Sequence, residues 1–294
     1  MHANIIKTGL ISKEMKQFAT ILVFFCIVFT TNKISARTND SGFIFMKGGY
    51  FKIGNNAGDD DEKTMRKIYV SGFYISKYEV VNKAFCTFLN SVKPDALLLR
   101  KYINLNGTYK NLKCRIYQKD SSYYTETGFE DYPVTFVSWY GADAYCKYVG
   151  GRLPSETEWE YAAKGGKQIF FSYIFRKYNY AGSNTPEEVA WFRKNSENQL
   201  HKTGQKKSNK ANLFDMSGNV AEWCADWYSP EYYKSAPERN PQGPENGQMK
   251  VHRGGSWYNT PEMLRITNRR ASKPVTENAT IGFRVVKDNG FSLE

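Results

Sequence analysis

One run of sixteen residues, 212–227, constrains the fold more than any other part of the chain. It reads Asn-Leu-Phe-Asp-Met-Ser-Gly-Asn-Val-Ala-Glu-Trp-Cys-Ala-Asp-Trp. Asp215, Gly218 and Glu222 frame a short turn whose carboxylate and carbonyl oxygens suit a hard cation such as calcium. Trp223 and a second tryptophan four residues later predict that the turn packs on a core. A turn held by hydrogen bonds alone is the alternative.

The composition indicates a globular chain that can bury a core. Its 294 residues suit one large or two small domains, and 41% of them are hydrophobic and 16% aromatic. The formal net charge is +12, but the basic residues are spread along the chain. We therefore expect no nucleic-acid partner, because such partners require a concentrated basic surface.

The N-terminal segment predicts export. Lys16 precedes the apolar run Phe18–Phe29, and small residues at 34–36 offer a cleavage site. This pattern predicts a secretory signal peptide over residues 1–36 and a periplasmic or extracellular chain over 37–294, with no transmembrane span after cleavage. An uncleaved anchor is the alternative, although the run is shorter than the roughly 20 residues that a span needs.

Four cysteines remain once the one within the signal segment is removed: Cys86, Cys114, Cys146 and Cys224. An oxidising compartment permits two disulfides among them, in any of three pairings. Free buried thiols are the alternative, since a core of this size does not need disulfides.

Two early segments, 43–54 and 67–75, predict strands because they are rich in aromatic and β-branched residues. The acidic residues 59–62 between them predict a solvated loop. The pair Asn106-Gly107 predicts a hairpin turn within 102–109.

Helices are predicted from capping residues. Asn82 is a candidate cap for a helix that buries Phe85, Phe88, Leu89 and Val92.

Ser138 predicts a second helix that ends at the glycines 150–151. Ser155 and Glu158 have the spacing of a capping box for a third. Glu156, Glu158 and Glu160 are explained by capping and solvation rather than by acid–base chemistry.

Three further segments join the run at 212–227 in a recognisable order. They are Pro133–Cys146, Gly151–Ala163, and Arg253-Gly-Gly-Ser-Trp257 with Gly282-Phe-Arg284. Together they resemble the formylglycine-generating enzyme, or sulfatase-modifying factor, family over roughly residues 43–288. The resemblance implies an α+β, C-type-lectin-like fold with low regular secondary structure, in a single domain over residues 37–294.

The resemblance also implies calcium. The family's calcium ligands fall on Asp215, Gly218, Val220 and Glu222, where the glycine and the valine would contribute backbone carbonyls. A second family calcium site corresponds to residues 190–201, in which individual ligands are not assigned.

Copper is not expected. The copper(I) of the formylglycine-generating enzymes is bound by two cysteines that follow the Arg-Gly-Gly-Ser motif, as suits soft thiolate ligands. Those positions are Asn259 and Leu264 here, and neither residue is a ligand for a soft metal. No catalytic residue is therefore assigned.

Five family positions near the pocket are candidates for substrate contact: Arg253, Ser256, Trp257, Asn259 and Arg284. Inward pairing of the arginines, with a purely structural role, is the alternative for this set.

The functional prediction is an exported, calcium-stabilised family member that acts as a binding or assembly module of the cell envelope, with a peptide, glycan or envelope protein as partner. The alternative is an oxidase or tailoring enzyme that acts on a peptide or secreted metabolite. Sulfatase activation through a partner chain is a third hypothesis.

Overall fold

Short helices and strands joined by long loops build the domain in the computed structural model, which describes residues 42–166 and 178–290. The signal peptide predicted over 1–36 lies outside these residues. The helices are α1 (Asn82–Val92), α2 (Ala96–Tyr102), α3 (Trp139–Tyr148), α4 (Glu156–Ala163), α5 (Pro186–Val189) and α6 (Tyr232–Ser235), with 3-10 turns at Asp60–Glu62 and Pro261–Leu264. None of the helices in the two described ranges is long and apolar enough to cross a membrane.

The strands are β1 (Phe43–Met46), β2 (Gly49–Ile53), β3 (Arg66–Val70), β4 (Phe73–Ser76), β5 (Thr108–Tyr109), β6 (Leu112–Lys113), β7 (Ile116–Lys119), β8 (Ser122–Thr125), β9 (Ala221–Trp227), β10 (Lys250–Arg253), β11 (Arg270–Ser272), β12 (Ile281–Gly282) and β13 (Val286–Asp288). The strands predicted in 43–54 and 67–75 are confirmed. In β2, Phe51 and Ile53 are buried while Lys52 between them is exposed, which is the alternation of a strand with one face on the core.

The central sheet has the strand order β11-β10-β9-β12. Strand β9 is the second half of the run at 212–227, and it pairs antiparallel with β10 and parallel with β12. Trp223 and Cys224 within it are fully buried. Because β9 is paired on both edges, the turn that precedes it is fixed against the core.

Helix α1 forms at the predicted place, and the first three of its predicted apolar residues are buried. Two details of the prediction are wrong. Val92 is 41% exposed, because the last turn of the helix extends past the core. Asn82 does not cap the helix; its side-chain amide donates to the carbonyl of Phe129 at 3.0 Å instead.

The caps predicted for α3 and α4 are confirmed. The Ser138 hydroxyl accepts from the amide of Gly141 at 3.1 Å, and Gly150 ends the helix with a φ of +69°. Ser155 and Glu158 form the reciprocal capping box, with bonds of 3.1 and 2.9 Å.

The hairpin predicted within 102–109 is wrong. Tyr102 ends helix α2, and the hairpin lies further along the chain, where β5 pairs with β6 through a turn at Lys110. Lys110 has a φ of +53°, whereas Gly107 is not left-handed. Gly107 is needed for packing, because a Cβ there would lie 2.3 Å from the ring of Phe136.

The structure has free buried thiols rather than two disulfides. They belong to Cys86, Cys114, Cys146 and Cys224. Burial raises the pKa of Cys114 to about 11 and also raises that of Cys224. These thiols are therefore protonated and unreactive at neutral pH.

The prediction that Glu156 and Glu160 are solvated is wrong, because both are buried in ion pairs. The Arg253 guanidinium donates to Glu156 at 2.7 Å and to Glu160 at 2.6 Å, and Arg269 makes two bonds to Glu156 at 2.7 and 2.8 Å. Burial alone would raise the pKa of Glu156, but the charges of Arg269 and Arg253 lower it. The partners come from β10 and from beyond it, too distant in sequence to be predicted.

The acidic segment 59–62 is also not uniformly solvated. Glu62 is fully buried, where it accepts two bonds of 2.7 Å from Arg265 and one of 2.6 Å from the Thr267 hydroxyl. This pairing fastens the N-terminal loop to the segment that follows the 261–264 turn.

Replacing Arg253 with methionine should lower the free energy of unfolding by about 3–5 kcal/mol, because Glu156 and Glu160 would lose a shared buried cation. The control is Lys147→Met. Lys147 pairs with Asp143, and its side chain is 71% exposed, so that change should cost less than about 1 kcal/mol. Urea unfolding measures both values, and equal costs would contradict the expectation.

Asp226 is a buried carboxyl next to this ionic cluster. Its Oδ2 accepts from the amide of Glu156 at 2.8 Å, while its Oδ1 has no partner among the described residues. Burial, and next the charge of Glu156, raise the pKa of Asp226 to about 8. The folded chain therefore holds a proton here that the unfolded chain loses near about pH 4.

The contribution of Asp226 to stability should consequently fall as the pH rises from about 4 to about 8, and Asp226→Asn should remove this part of the dependence. The variant keeps an acceptor for the Glu156 amide. It should match the wild type at about pH 4 and exceed its free energy of unfolding by at least about 1 kcal/mol at about pH 8. Parallel curves at all pH values in chemical unfolding would contradict the assignment.

Candidate functional site

The turn that precedes β9 has a left-handed backbone at three positions. Asp215, Gly218 and Asn219 have φ values of +56°, +82° and +56°. A Cβ on Gly218 would lie 2.4 Å from the carbonyl oxygen of Trp191. The amide of Gly218 donates to the carbonyl of Gly254 at 2.9 Å. Glycine is required here because two other loops press on the turn.

Glu222 ends the turn in a fully occupied position. Both of its carboxylate oxygens accept from Arg284 at 2.6 Å, and one also accepts from the indole nitrogen of Trp159 at 2.6 Å. Glu222 and Arg284 both have fully buried side chains. In this arrangement, both carboxylate oxygens of Glu222 are bonded to a guanidinium, so Glu222 is not free to bind a cation.

Glu79 is a site residue that sequence reasoning missed. Its carboxyl accepts from the side-chain amide of Asn219 at 2.7 Å and from the amide of Val220 at 3.1 Å. Burial, and next the charges of Asp215 and Glu222, raise its pKa well above the usual range. The sequence does contain an indication of this buried carboxyl, because an acidic residue stands within the otherwise apolar run Tyr-Glu-Val-Val at 78–81.

Asp215 has one free oxygen. Its Oδ2 accepts from the amide of Gly204 at 2.6 Å, whereas its Oδ1 is buried without a hydrogen-bond partner in the described residues. Burial raises the pKa of Asp215 to about 6, against the lowering effect of the Gly204 amide.

The predicted calcium ligands therefore fit a cation in part. Asp215 offers an unpaired buried oxygen, which suits a hard cation. Glu79 is a second carboxyl in the same electrostatic cluster. Glu222 is committed to Arg284, so Asp215, with the carbonyls of Gly218 and Val220, would be the part of the predicted set that holds the ion. Within residues 42–166 and 178–290, no three acidic, histidine or cysteine side chains converge as a ready-made metal site.

The second family calcium region, 190–201, is held together by stacking and hydrogen bonds. The rings of Trp191 and His201 stack with their centroids 3.7 Å apart, and the Asn195 side chain accepts from the amide of Phe192 at 2.8 Å. No residue of this region is added to the candidate ligands.

The two positions that correspond to the copper cysteines are closed. The Asn259 side-chain oxygen accepts from both the amide and the hydroxyl of Ser256 at 2.9 Å, and its nitrogen contacts the sulfur of Met263 at 3.1 Å. Leu264 is fully buried in an apolar cluster that includes Phe192. These residues do not fit copper: one position carries an engaged amide, and the other carries a hydrocarbon side chain.

Four of the five substrate-pocket candidates are interior residues. Arg253, Ser256, Trp257 and Arg284 are at most 1% exposed, and only Asn259 reaches the surface in part. Arg253 and Arg284 pair inward, as in the structural alternative. The side chains of these four residues are therefore part of the interior rather than exposed ligand contacts.

The exposed groups around Asn259 come from residues that the sequence did not single out. Lys110 and Arg193 converge on the ring of Tyr258, the neighbour of Asn259. They lie far apart in the chain, so no local pattern could have joined them.

Comparison with known protein families identifies the family of this chain. Residues 28–289 match the FGE-sulfatase family, described as the sulfatase-modifying factor enzyme 1-like domain. The chain belongs to this family.

Three similar proteins show the range of the family. The serine/threonine-protein kinase Pkn1 of Chlamydia trachomatis serovar L2 is 34% identical over 254 residues, which cover 83% of this chain and 38% of the kinase. The formylglycine-generating enzyme of Streptomyces coelicolor is 29% identical over 84% of this chain and 89% of the enzyme. The chaperone protein LppX of Paenibacillus barcinonensis is 30% identical over 78% of this chain and 83% of its own length.

Among solved structures, PvdO from Pseudomonas aeruginosa matches 84% of this chain and 94% of its own with a TM-score of 0.65 and 21% identity. This likeness shows the fold alone, and it confirms the mixed α+β, lectin-like architecture with little regular secondary structure.

Proposed function

We propose that the chain is an exported binding or assembly module of the cell envelope, built on the formylglycine-generating-enzyme scaffold without its copper chemistry. The observation that carries this proposal is the closed pair of positions at Asn259 and Leu264. Asn259 is held by three polar contacts and Leu264 is sealed in the core, so opening either position would break packed structure rather than move a free side chain.

Two relatives support a role other than sulfatase modification. One is named as a protein kinase, of which the matched region is 38%, and another is named as a chaperone. A family domain can therefore be part of a larger protein or of one named for assisting other proteins. The partner that we propose is a peptide, a glycan or an envelope protein, reached after removal of residues 1–36.

The direct test is to offer the mature chain, residues 37–294, copper(I) under reducing conditions and a sulfatase peptide that contains the cysteine to be modified. We expect no stoichiometric copper and an unchanged peptide mass, because the two copper-binding positions carry Asn259 and Leu264 instead of thiolates. The Streptomyces coelicolor enzyme, treated in parallel, is the positive control. Copper-dependent loss of the peptide thiol would overturn the proposal and favour sulfatase activation, and turnover with another metal would favour the oxidase or tailoring enzyme.

Calcium is the second part of the proposal, with Asp215 as its side-chain ligand. Chelation should lower the melting temperature of the mature chain by roughly 5–10 °C when calcium had been present at about 100 times its Kd.

The variant Asp215→Ala should lose this response to calcium, whereas Glu245→Ala, which changes an exposed acid, should keep it. Calorimetric scans with and without chelator measure the shifts. A melting temperature that ignores calcium in the wild type would rule out a calcium-supported scaffold.

A further inference from the structure

A surface cluster of two exposed cations and two half-buried tyrosines lies beside the closed loop. We call it the Tyr258 cluster; its members are Tyr109, Lys110, Arg193 and Tyr258. They come from three separate parts of the chain, namely the tip of the β5–β6 hairpin, the 190–199 loop and the 256–264 loop. Separate elements have thus been brought to one point on the surface.

The two cations meet at one phenol ring. The Lys110 Nζ donates to the Tyr258 hydroxyl at 2.9 Å and lies 4.1 Å from the ring centroid. The Arg193 guanidinium carbon lies 4.9 Å from the same centroid. Both positive charges therefore lie within 5 Å of the centre of a single phenol ring.

The backbone holds these groups in place. Lys110 is fixed in the left-handed conformation of the hairpin turn, and the amide of Arg193 donates to the carbonyl of Asn259 at 3.1 Å. Tyr109 packs edge-on against Tyr258 with the ring centroids 5.7 Å apart. The cluster is therefore preorganised, which reduces the entropy that a ligand must offset.

The positive charge of the cluster is not neutralised. Nearby lysines have carboxylate partners: Lys194 pairs with Glu187 at 2.8 Å and Lys113 pairs with Glu126 at 3.1 Å. No carboxylate in the described ranges forms an ion pair with Lys110 or Arg193. The hydrogen bond from Lys110, followed by those from Arg193 and Tyr109, lowers the pKa of Tyr258 to about 8, as expected next to an excess of positive charge.

We propose that Lys110, Arg193 and the Tyr258 hydroxyl form a binding site for an oxyanion carried by the ligand of this module: a sulfate, phosphate or carboxylate group. A guanidinium offers a planar pair of donors, an ammonium adds a point charge, and the phenol supplies a further donor. Unlike the closed copper positions, Lys110 and Arg193 are exposed and Tyr258 is only half-buried. The inference rests on the proposed binding function and names its ligand class.

The probes are sodium sulfate, phosphate and acetate, each titrated calorimetrically into the mature chain at constant ionic strength without added calcium. Arg193→Met and Lys110→Met should each weaken binding by about tenfold or more, because each removes a charge-assisted bond. Lys194→Met is the matched control. It removes a neighbouring charge that Glu187 already neutralises, so it should leave binding within about twofold of the wild type.

A spectroscopic titration locates the site. The near-ultraviolet absorbance of tyrosinate should include one group that ionises near about pH 8 and is missing in Tyr258→Phe. A bound anion should raise the pKa of that group, because a negative ligand opposes the phenolate. Stronger binding of sulfate and phosphate than of acetate would indicate a tetrahedral ester, and the reverse order would indicate a carboxylate.

The inference would be overturned if each anion bound the wild type and Arg193→Met with equal affinity. It would also be overturned if anion binding left the pKa of Tyr258 unchanged. Either result could occur in a protein that neither binds copper nor alters a sulfatase peptide, so it would leave the proposed function standing. Peptide turnover, in contrast, would overturn the proposed function and would not affect a measured anion site.

Discussion

The bidentate ion pair between Glu222 and Arg284 fixes the centre of the domain. Arg284 also donates to the carbonyls of Ser76 and Phe214 at 2.9 and 2.8 Å, and Glu222 accepts from Trp159 on helix α4. One buried guanidinium thus joins the end of β4, the start of the central turn and strand β9. Because a buried charge without its partner is strongly destabilising, the loops that meet here have one stable arrangement.

The same kind of constraint fixes the loop that carries Asn259 and Leu264. Arg253, at the end of β10, is held by Glu156 and Glu160 on α4, so the loop that follows it starts from a rigid point. Asn259 and Leu264 then fill the two positions in question, one with hydrogen bonds and one with a hydrocarbon side chain. The rim of this loop, where Lys110, Arg193 and Tyr258 meet, is the surface that we propose for the ligand.

Local signals in the sequence were sufficient for part of this structure. The Ser155 capping box and the strands around Phe51 depend on neighbouring residues, and the run at 212–227 is specific enough to define the fold. The buried ion pairs were not predictable in this way, since Arg253 and Glu160 are 93 residues apart and acids at alternate helix positions look solvated. Glu79 and the Tyr258 cluster were missed for the same reason: their partners are brought together only by the tertiary structure.

The most direct test of the closed loop is hydrogen exchange of the Ser256 amide, followed by NMR in the chain of residues 37–294. That amide donates to the Asn259 side chain. If the loop is closed as a rigid part of the core, the amide exchanges only at the slow rate set by global unfolding. Rapid exchange under native conditions would mean that the loop opens. It would contradict the proposal that the positions of Asn259 and Leu264 are closed.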